Sequence, residues 1–186
     1  MRVSTLISLF SASLLSSVSA APVTSTTTSS SGSVIKTTKI TPAYWRATFN
    51  DPPLNIQGDA FFREFYDLVD QITTDPEVKV VVFDSSSKSF FSNHVDLVNP
   101  LNQTTWPGNP RYWESIEKLV HAPVLTIAAI RGIAANAGAE IAAVLDVRFA
   151  SREKAVFVQG EVGFGECIFT LLSGCDWEIG LTGWGK

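Results

Sequence analysis

Two glutamates stand out for the chemistry their surroundings allow. Between residues 123 and 145 the only ionisable side chains are Arg131 and Glu140, and the rest of that run is small or apolar. A lone carboxylate in such a run either faces a site or carries a desolvation cost on the order of several kcal/mol. Just before it, the loop at 132–138 begins and ends with glycine, lets backbone approach a ligand, and opens a helix whose first N–H groups point outward. A second carboxylate, Glu161, follows an extended segment. A backbone-exposing loop, a helix start and two carboxylates together suit enolate chemistry on an activated acyl group.

Adding water across a double bond needs a base to take a proton from water and an acid to protonate the adjacent carbon, and two carboxylates astride one water can divide those roles. Each also has a plainer reading. Glu140 can be a capping glutamate or one ion-paired with Arg131 or Arg148, and Glu161 a solvated loop residue beside Gly160 and Gly163.

The elements that must position these residues follow from periodicity and punctuation. Residues 35–40 and 44–49 read as strands joined by a turn at 41–43, with Trp45, Ala47 and Phe49 on one face. Asn50, Asp51, Pro52 and Pro53 stop the second strand. Asp59 is expected to cap a helix running to about 72, with Phe61, Phe65, Leu68 and Ile72 as one buried stripe. Residues 78–83 read as a strand buried on both faces. Residues 98–112 read as an exposed loop carrying the sequon Asn102-Gln103-Thr104, where Asn102 could bear a glycan in a secreted protein. A helix at 113–120 and strands at 124–130, 147–150 and 155–158 follow. Strands alternating with helices predict an α/β domain. No internal repeat is visible in the sequence.

Composition narrows the class. A chain of 186 residues has the length of one domain. Hydrophobic content of 45% points to a packed core, and the net charge of −4 argues against a nucleic-acid binder. Cys167 and Cys175 could close only a small local disulfide loop. Their spacing fits no zinc pattern, and with two histidines in the chain no metal is expected. At the N-terminus, Arg2 precedes an apolar stretch and Val18-Ser19-Ala20, the pattern of a signal peptide at 1–20 that is too short for a membrane span. This predicts the secretory pathway, with a mitochondrial presequence as the alternative because no acidic residue precedes Asp51. A Ser/Thr-rich linker at 21–34 follows.

Four stretches then occur in a telling order: YWRATFNDPPLN, VKVVVFDSSSKSFFSNHVDL, PVLTIAAIRGIAANAGAE and LDVRFASREKAVFVQGEVGFG. Through them, residues 35–165 resemble the enoyl-CoA hydratase/isomerase (crotonase) superfamily. The resemblance implies a crotonase-like spiral of ββα units over a core at 35–166. It implies Glu140 and Glu161 as the acid/base pair and the backbone N–H groups of Val95 and Ala137 as an oxyanion hole. It places His94, Val95, Asp96, Leu97 and Ala137 against an acyl-CoA, which is itself the substrate, so that no cofactor is expected. Where the family shows a run of glycines this chain has Asn136-Ala137-Gly138, and the hole is expected there provided these residues keep negative φ.

Beyond Gly165 the resemblance stops. The tail at 167–186 diverges, and the family's C-terminal helical part, which covers the acyl pocket and builds a trimer or hexamer, is not recognisable. An apolar face left without those helices predicts poor solubility. The leading expectation is therefore an enoyl-CoA hydratase/isomerase-like protein, ancestrally a lyase of fatty acid metabolism that hydrates 2-enoyl-CoA. The alternative is a secreted or truncated non-catalytic binding module on the same scaffold, favoured by the leader, since acyl-CoA is an intracellular metabolite.

Overall fold

In the computed structural model, which describes residues 32–99, 102 and 109–164, the chain builds two sheets by stepping repeatedly from one to the other. Strands β1 (Ile35–Thr41) and β2 (Tyr44–Phe49) form an antiparallel hairpin, and helix α1 (Asp59–Thr74) packs behind it. Three excursions follow, each placing one strand in a large sheet and one in a small sheet. The first is β3 (Val80–Ser85), β4 (Phe90–Ser92) and helix α2 (Pro110–Val120). The second is β5 (Leu125–Ile130), β6 (Ile133–Ala135) and helix α3 (Ala137–Val144). The third is β7 (Val147–Ala150), β8 (Val156–Val158) and a 3₁₀ turn at Gly160–Phe164. The large sheet has the order β1-β2-β3-β5-β7 and the small one β4-β6-β8, with every pair after the first hairpin parallel. The result is an α/β spiral of ββα units.

Burial explains why these residues take these places. On β2, Trp45, Ala47 and Phe49 alternate inward, and α1 lays Phe61, Phe65, Leu68 and Ile72 against the sheet together with Phe62, Tyr66 and Val69. The Phe49 ring lies 5.4 Å from Phe61 and 5.2 Å from Phe91, which joins the first hairpin, α1 and β4 in one aromatic core. Each such side chain contributes about 1.5–3 kcal/mol on full burial. Asp84, near the end of β3, is buried but paired: Arg46 Nε donates to it at 2.8 Å and Thr48 Oγ1 at 2.7 Å.

The structure departs from the sequence reading at several boundaries. Gly58 stands at the α1 N-cap with no side-chain cap, and the Asp59 carboxylate instead accepts from the Asn102 backbone N–H at 2.9 Å, tying the sequon residue to the helix start. Helix α2 starts at Pro110 rather than 113, because the Asn109 side chain accepts from Arg111 N at 2.9 Å and proline suits the first turn. Strand β3 runs 80–85 rather than 78–83, since its pairing with β2 begins at Val80. Strand β6 falls inside the loop expected at 132–138, and β4 in a stretch where the sequence pattern shows no element. The leader at 1–20, most of the linker, Gln103, Thr104, Cys167, Cys175 and the tail at 167–186 lie outside the described residues. At the linker's end, Ser33 Oγ and Ile35 N both donate to Glu64 Oε2, at 2.8 and 2.7 Å.

Candidate active site

The start of α3 is pressed onto the end of β4. Gly138 N donates to Asn93 O at 3.0 Å, and a Cβ at Gly138 would collide with the Ser92 carbonyl, so only glycine allows this approach. Two residues beyond Asn93, Val95 forms an isolated bridge with Gln57: Gln57 N donates to His94 O and Asp96 N to Gln57 O, each at 3.0 Å. That bridge uses the polar groups on either side of Val95 and leaves its own N–H turned away from Gln57. Among the described residues neither Val95 N nor Ala137 N finds a protein acceptor. For Ala137, the first residue of α3, an unpaired N–H is also what any helix start leaves. The fold thus brings the two expected donors to neighbouring backbone segments joined by the Gly138–Asn93 bond.

Asn136 departs from expectation. Its φ is 56° and ψ −127°, a backbone region that glycine favours and that costs another residue about 1–3 kcal/mol. The expectation of negative φ through this loop does not hold at Asn136. Its surroundings hold it in place: Asn136 N donates to Val158 O at 2.7 Å, and Gly160 N donates to Asn136 Oδ1 at 2.8 Å. Ala139 N and Glu140 N both donate to its carbonyl, at 2.8 and 3.1 Å. Asn136 therefore clasps the α3 start to the segment carrying Glu161.

The two glutamates come together through a residue the sequence reading passed over. Glu140 is 1% exposed in the first turn of α3, whereas Glu161 is half-buried in the 3₁₀ turn. Gln159 Nε2 donates to Glu140 Oε1 at 3.2 Å and to Glu161 Oε2 at 3.0 Å. One amide group bridging two carboxylates keeps both oriented toward the same volume. The sequence shows only an amide two positions before Glu161; the 3₁₀ turn that carries Glu161, set beside α3, is what lets one amide reach both carboxylates.

The remaining candidates divide. His94 is half-buried, with Nδ1 2.5 Å from the Val95 carbonyl, the place of a hydrogen-bonded loop histidine. Asp96 is turned into its own loop: Oδ1 accepts from Val98 N and Asn99 N at 2.9 Å, and Oδ2 from Asn99 Nδ2 at 2.8 Å. These bonds, the Asn99 N–H foremost, hold its carboxyl below the usual carboxylate range. Leu97, two residues beyond Val95, is 80% exposed. Arg148 donates to the Ala142, Ala143 and Leu145 carbonyls at the far end of α3, where a cation complements the helix dipole. Arg131 lines a separate cavity. Among the described residues no three His, Cys, Asp or Glu side chains gather as a metal site, and no helix is long and apolar enough to cross a membrane.

Comparison with known proteins bears on this geometry. Residues 43–171 match the family described as Enoyl-CoA hydratase/isomerase. A candidate enoyl-CoA hydratase from Streptomyces avermitilis is 36% identical, with the match covering 71% of this chain and 49% of that one at a TM-score of 0.64. Pseudomonas aeruginosa DspI (23% identity, 78% and 60% covered, TM-score 0.66) is similar in fold. So is an enoyl-CoA hydratase from Bacillus anthracis (23% identity, 74% and 54% covered, TM-score 0.65). The chain spans about half the length of the solved structures it matches.

Proposed function

This chain belongs to the enoyl-CoA hydratase/isomerase family, and from that premise we propose that its site hydrates 2-enoyl-CoA thioesters. The observation that carries the reading is the Gln159 amide shared by Glu140 and Glu161, next to a helix start whose Ala137 N–H has no acceptor among the described residues. In this mechanism the thioester oxygen sits against the Val95 and Ala137 N–H groups. One glutamate takes a proton from water as its oxygen adds to the β-carbon. The electrons move onto the thioester oxygen as an enolate, and the other glutamate protonates the α-carbon. Backbone donors of this kind are each worth about 3 kcal/mol in acyl-transfer transition states. His94 and Leu97 flank the ligand, and Asp96 shapes the loop that presents Val95.

The test is hydration of crotonyl-CoA by the purified chain, followed by loss of the enoyl absorbance. Glu140→Gln and Glu161→Gln are each expected to lower turnover by about 10²–10⁴-fold. Turnover unchanged in both variants means that these carboxylates move no proton and the assignment fails.

A second reading, a non-catalytic binding module, has one observation in its favour: Asn136 and Ala137 bring side chains into a loop where the family keeps glycine. Here the Glu140→Gln and Glu161→Gln variants would bind acyl-CoA as the natural chain does, with no turnover in any of them. We infer a secretory route from the signal-peptide pattern at 1–20 and from the sequon at Asn102, which is exposed. A glycosidase-sensitive mass on the secreted protein tests that route, and an unglycosylated intracellular product speaks against it.

A further inference from the structure

The corners where the chain passes from the large sheet to the small one are stacked and bonded to each other. Ile133 N donates to Ser89 O and Ser151 N to Ile130 O, each at 2.8 Å, and Val156 N donates to Gly132 O at 3.4 Å. Gly132 lies so close to Ser89 that a Cβ would strike its carbonyl. The first corner is braced from within by Ser85 Oγ, which donates to Phe90 O at 2.6 Å, and from outside by Ser87 Oγ, which donates to Pro53 O at 2.7 Å. Against this platform lies a cavity of about 330 Å³, lined by Lys88, Arg131 and Lys154 together with Ser86 and Ser151. That volume falls at the lower end of small-molecule sites and equals roughly ten waters.

Each of the three cations comes from a different corner, and among the described residues none of them forms a side-chain hydrogen bond or ion pair. Glu153 accepts from Ser151 Oγ at 3.2 Å and from Arg152 Nε at 3.3 Å, so its charge is already matched by Arg152 and it does not line the cavity. Gathering three like charges without a counter-charge is unfavourable, and this chain carries a net charge of −4 overall. A ligand with several anionic oxygens removes that cost. Arg131 can grip two of its oxygens as a fork, while Lys88 and Lys154 act as point charges.

We propose that the stacked corners form a binding site for a small molecule bearing two linked phosphates, separate from the glutamate site. The corners precede β4 and β6 whereas Val95 and Ala137 follow them, so the cavity and the glutamate site lie at opposite ends of the small sheet.

Isothermal titration of the full chain with inorganic pyrophosphate at low ionic strength tests this, with circular dichroism confirming that each sample is folded. We expect saturable 1:1 binding that Arg131→Ala and the double variant Lys88→Ala/Lys154→Ala each weaken at least ~10-fold, with Arg131→Lys in between. Lys36→Ala, on exposed β1, should leave the affinity unchanged, and so should saturating crotonyl-pantetheine, a thioester without phosphate that occupies only the glutamate site. The double variant changes only exposed side chains and carries the test if Arg131→Ala fails to fold. Three results overturn the proposal: no binding by the folded natural chain, an equal loss in Lys36→Ala, which would mean diffuse charge attraction, or displacement of pyrophosphate by crotonyl-pantetheine, which would make the cavity part of the acyl-thioester site.

Discussion

At the scale of single residues, the site turns on groups that hold others in place. Gln159 donates to both glutamates from one nitrogen, and Glu140 is almost wholly buried, so removing the amide takes a donor from a carboxylate with little access to water. A hydrogen bond to a charged group contributes about 1.5–3 kcal/mol, which corresponds to roughly 10–100-fold in rate if it is needed in the transition state. Gln159→Leu is therefore expected to lower kcat for crotonyl-CoA by about that factor with a smaller change in KM. An unchanged kcat would show that the shared amide is structural. Asp96 supplies a pH prediction of definite sign. Its folded carboxyl titrates below the usual range because the Asn99 and Val98 N–H groups favour the ionised form. The stabilisation it gives the 96–99 loop is therefore present above the unfolded value of about 3.9 and is lost as pH falls through the lower folded value. The Val98 and Asn99 amide NMR shifts should move with a midpoint below the unfolded value of about 3.9. Movement centred above that point contradicts the cause named here.

At the scale of elements, the α3 start depends on a glycine and a clasp. Gly138→Ala forces a methyl into the Ser92 carbonyl, and backbone on both sides must move. We expect a loss of about 1–3 kcal/mol in a denaturant melt, the range for overpacking, together with weaker acyl-CoA binding as Ala137 N shifts. Asn136→Ala keeps the strained φ and removes the acceptor for Gly160 N, so a loss of similar size, about 1–3 kcal/mol, follows. A melt within error of the natural chain for both variants would mean that this junction is loose. The elements also show what could be read in advance. Strand 44–49 matches the structure to the residue, because a Pro-containing turn, the Asn50–Pro53 punctuation and inward alternation fixed it; 147–150 matches as well, though without inward alternation. Strands β4 and β6 are three residues each, too short for any period to show, and their Phe-Phe-Ser and Ile-Ala-Ala read equally well as loop. The ββα repeat was hidden for the same reason: it resides in stacked corners and strand pairing, while the side chains of its three copies differ. Glu140 and Glu161 were legible as isolated carboxylates beside glycine-rich backbone. Gln159 and the positive φ of Asn136 were not, since a bridging amide and a backbone angle appear only once α3 and the 160–164 turn are set side by side.

At the scale of the whole molecule, the described part is well filled on one side and open on the other. The aromatic core between the first hairpin, α1 and β4 is closed, but β7 and β8 are the outermost strands of the two sheets among the described residues. Phe149 is 65% exposed and Phe157 52%, with Val156 and Val158 beside Phe157 and Val162 just beyond. Large apolar side chains on a strand with unpaired backbone on one edge invite pairing with further chain; the one charge on these two strands, Arg148, is turned to the Ala142, Ala143 and Leu145 carbonyls. The chain as it stands should therefore associate as its concentration rises, seen as a growing hydrodynamic radius in light scattering. Phe149→Lys together with Phe157→Glu should suppress that growth. Both side chains are largely in water, so the melting temperature should move little, and the glutamate site, held by α3, Gln159 and the Asn136 clasp rather than by these rings, should still bind acyl-CoA. If the natural chain stays monomeric at high concentration, the open face is covered from within the chain. If the double variant melts well below it, those two rings belong to the core and the exposed-edge argument fails.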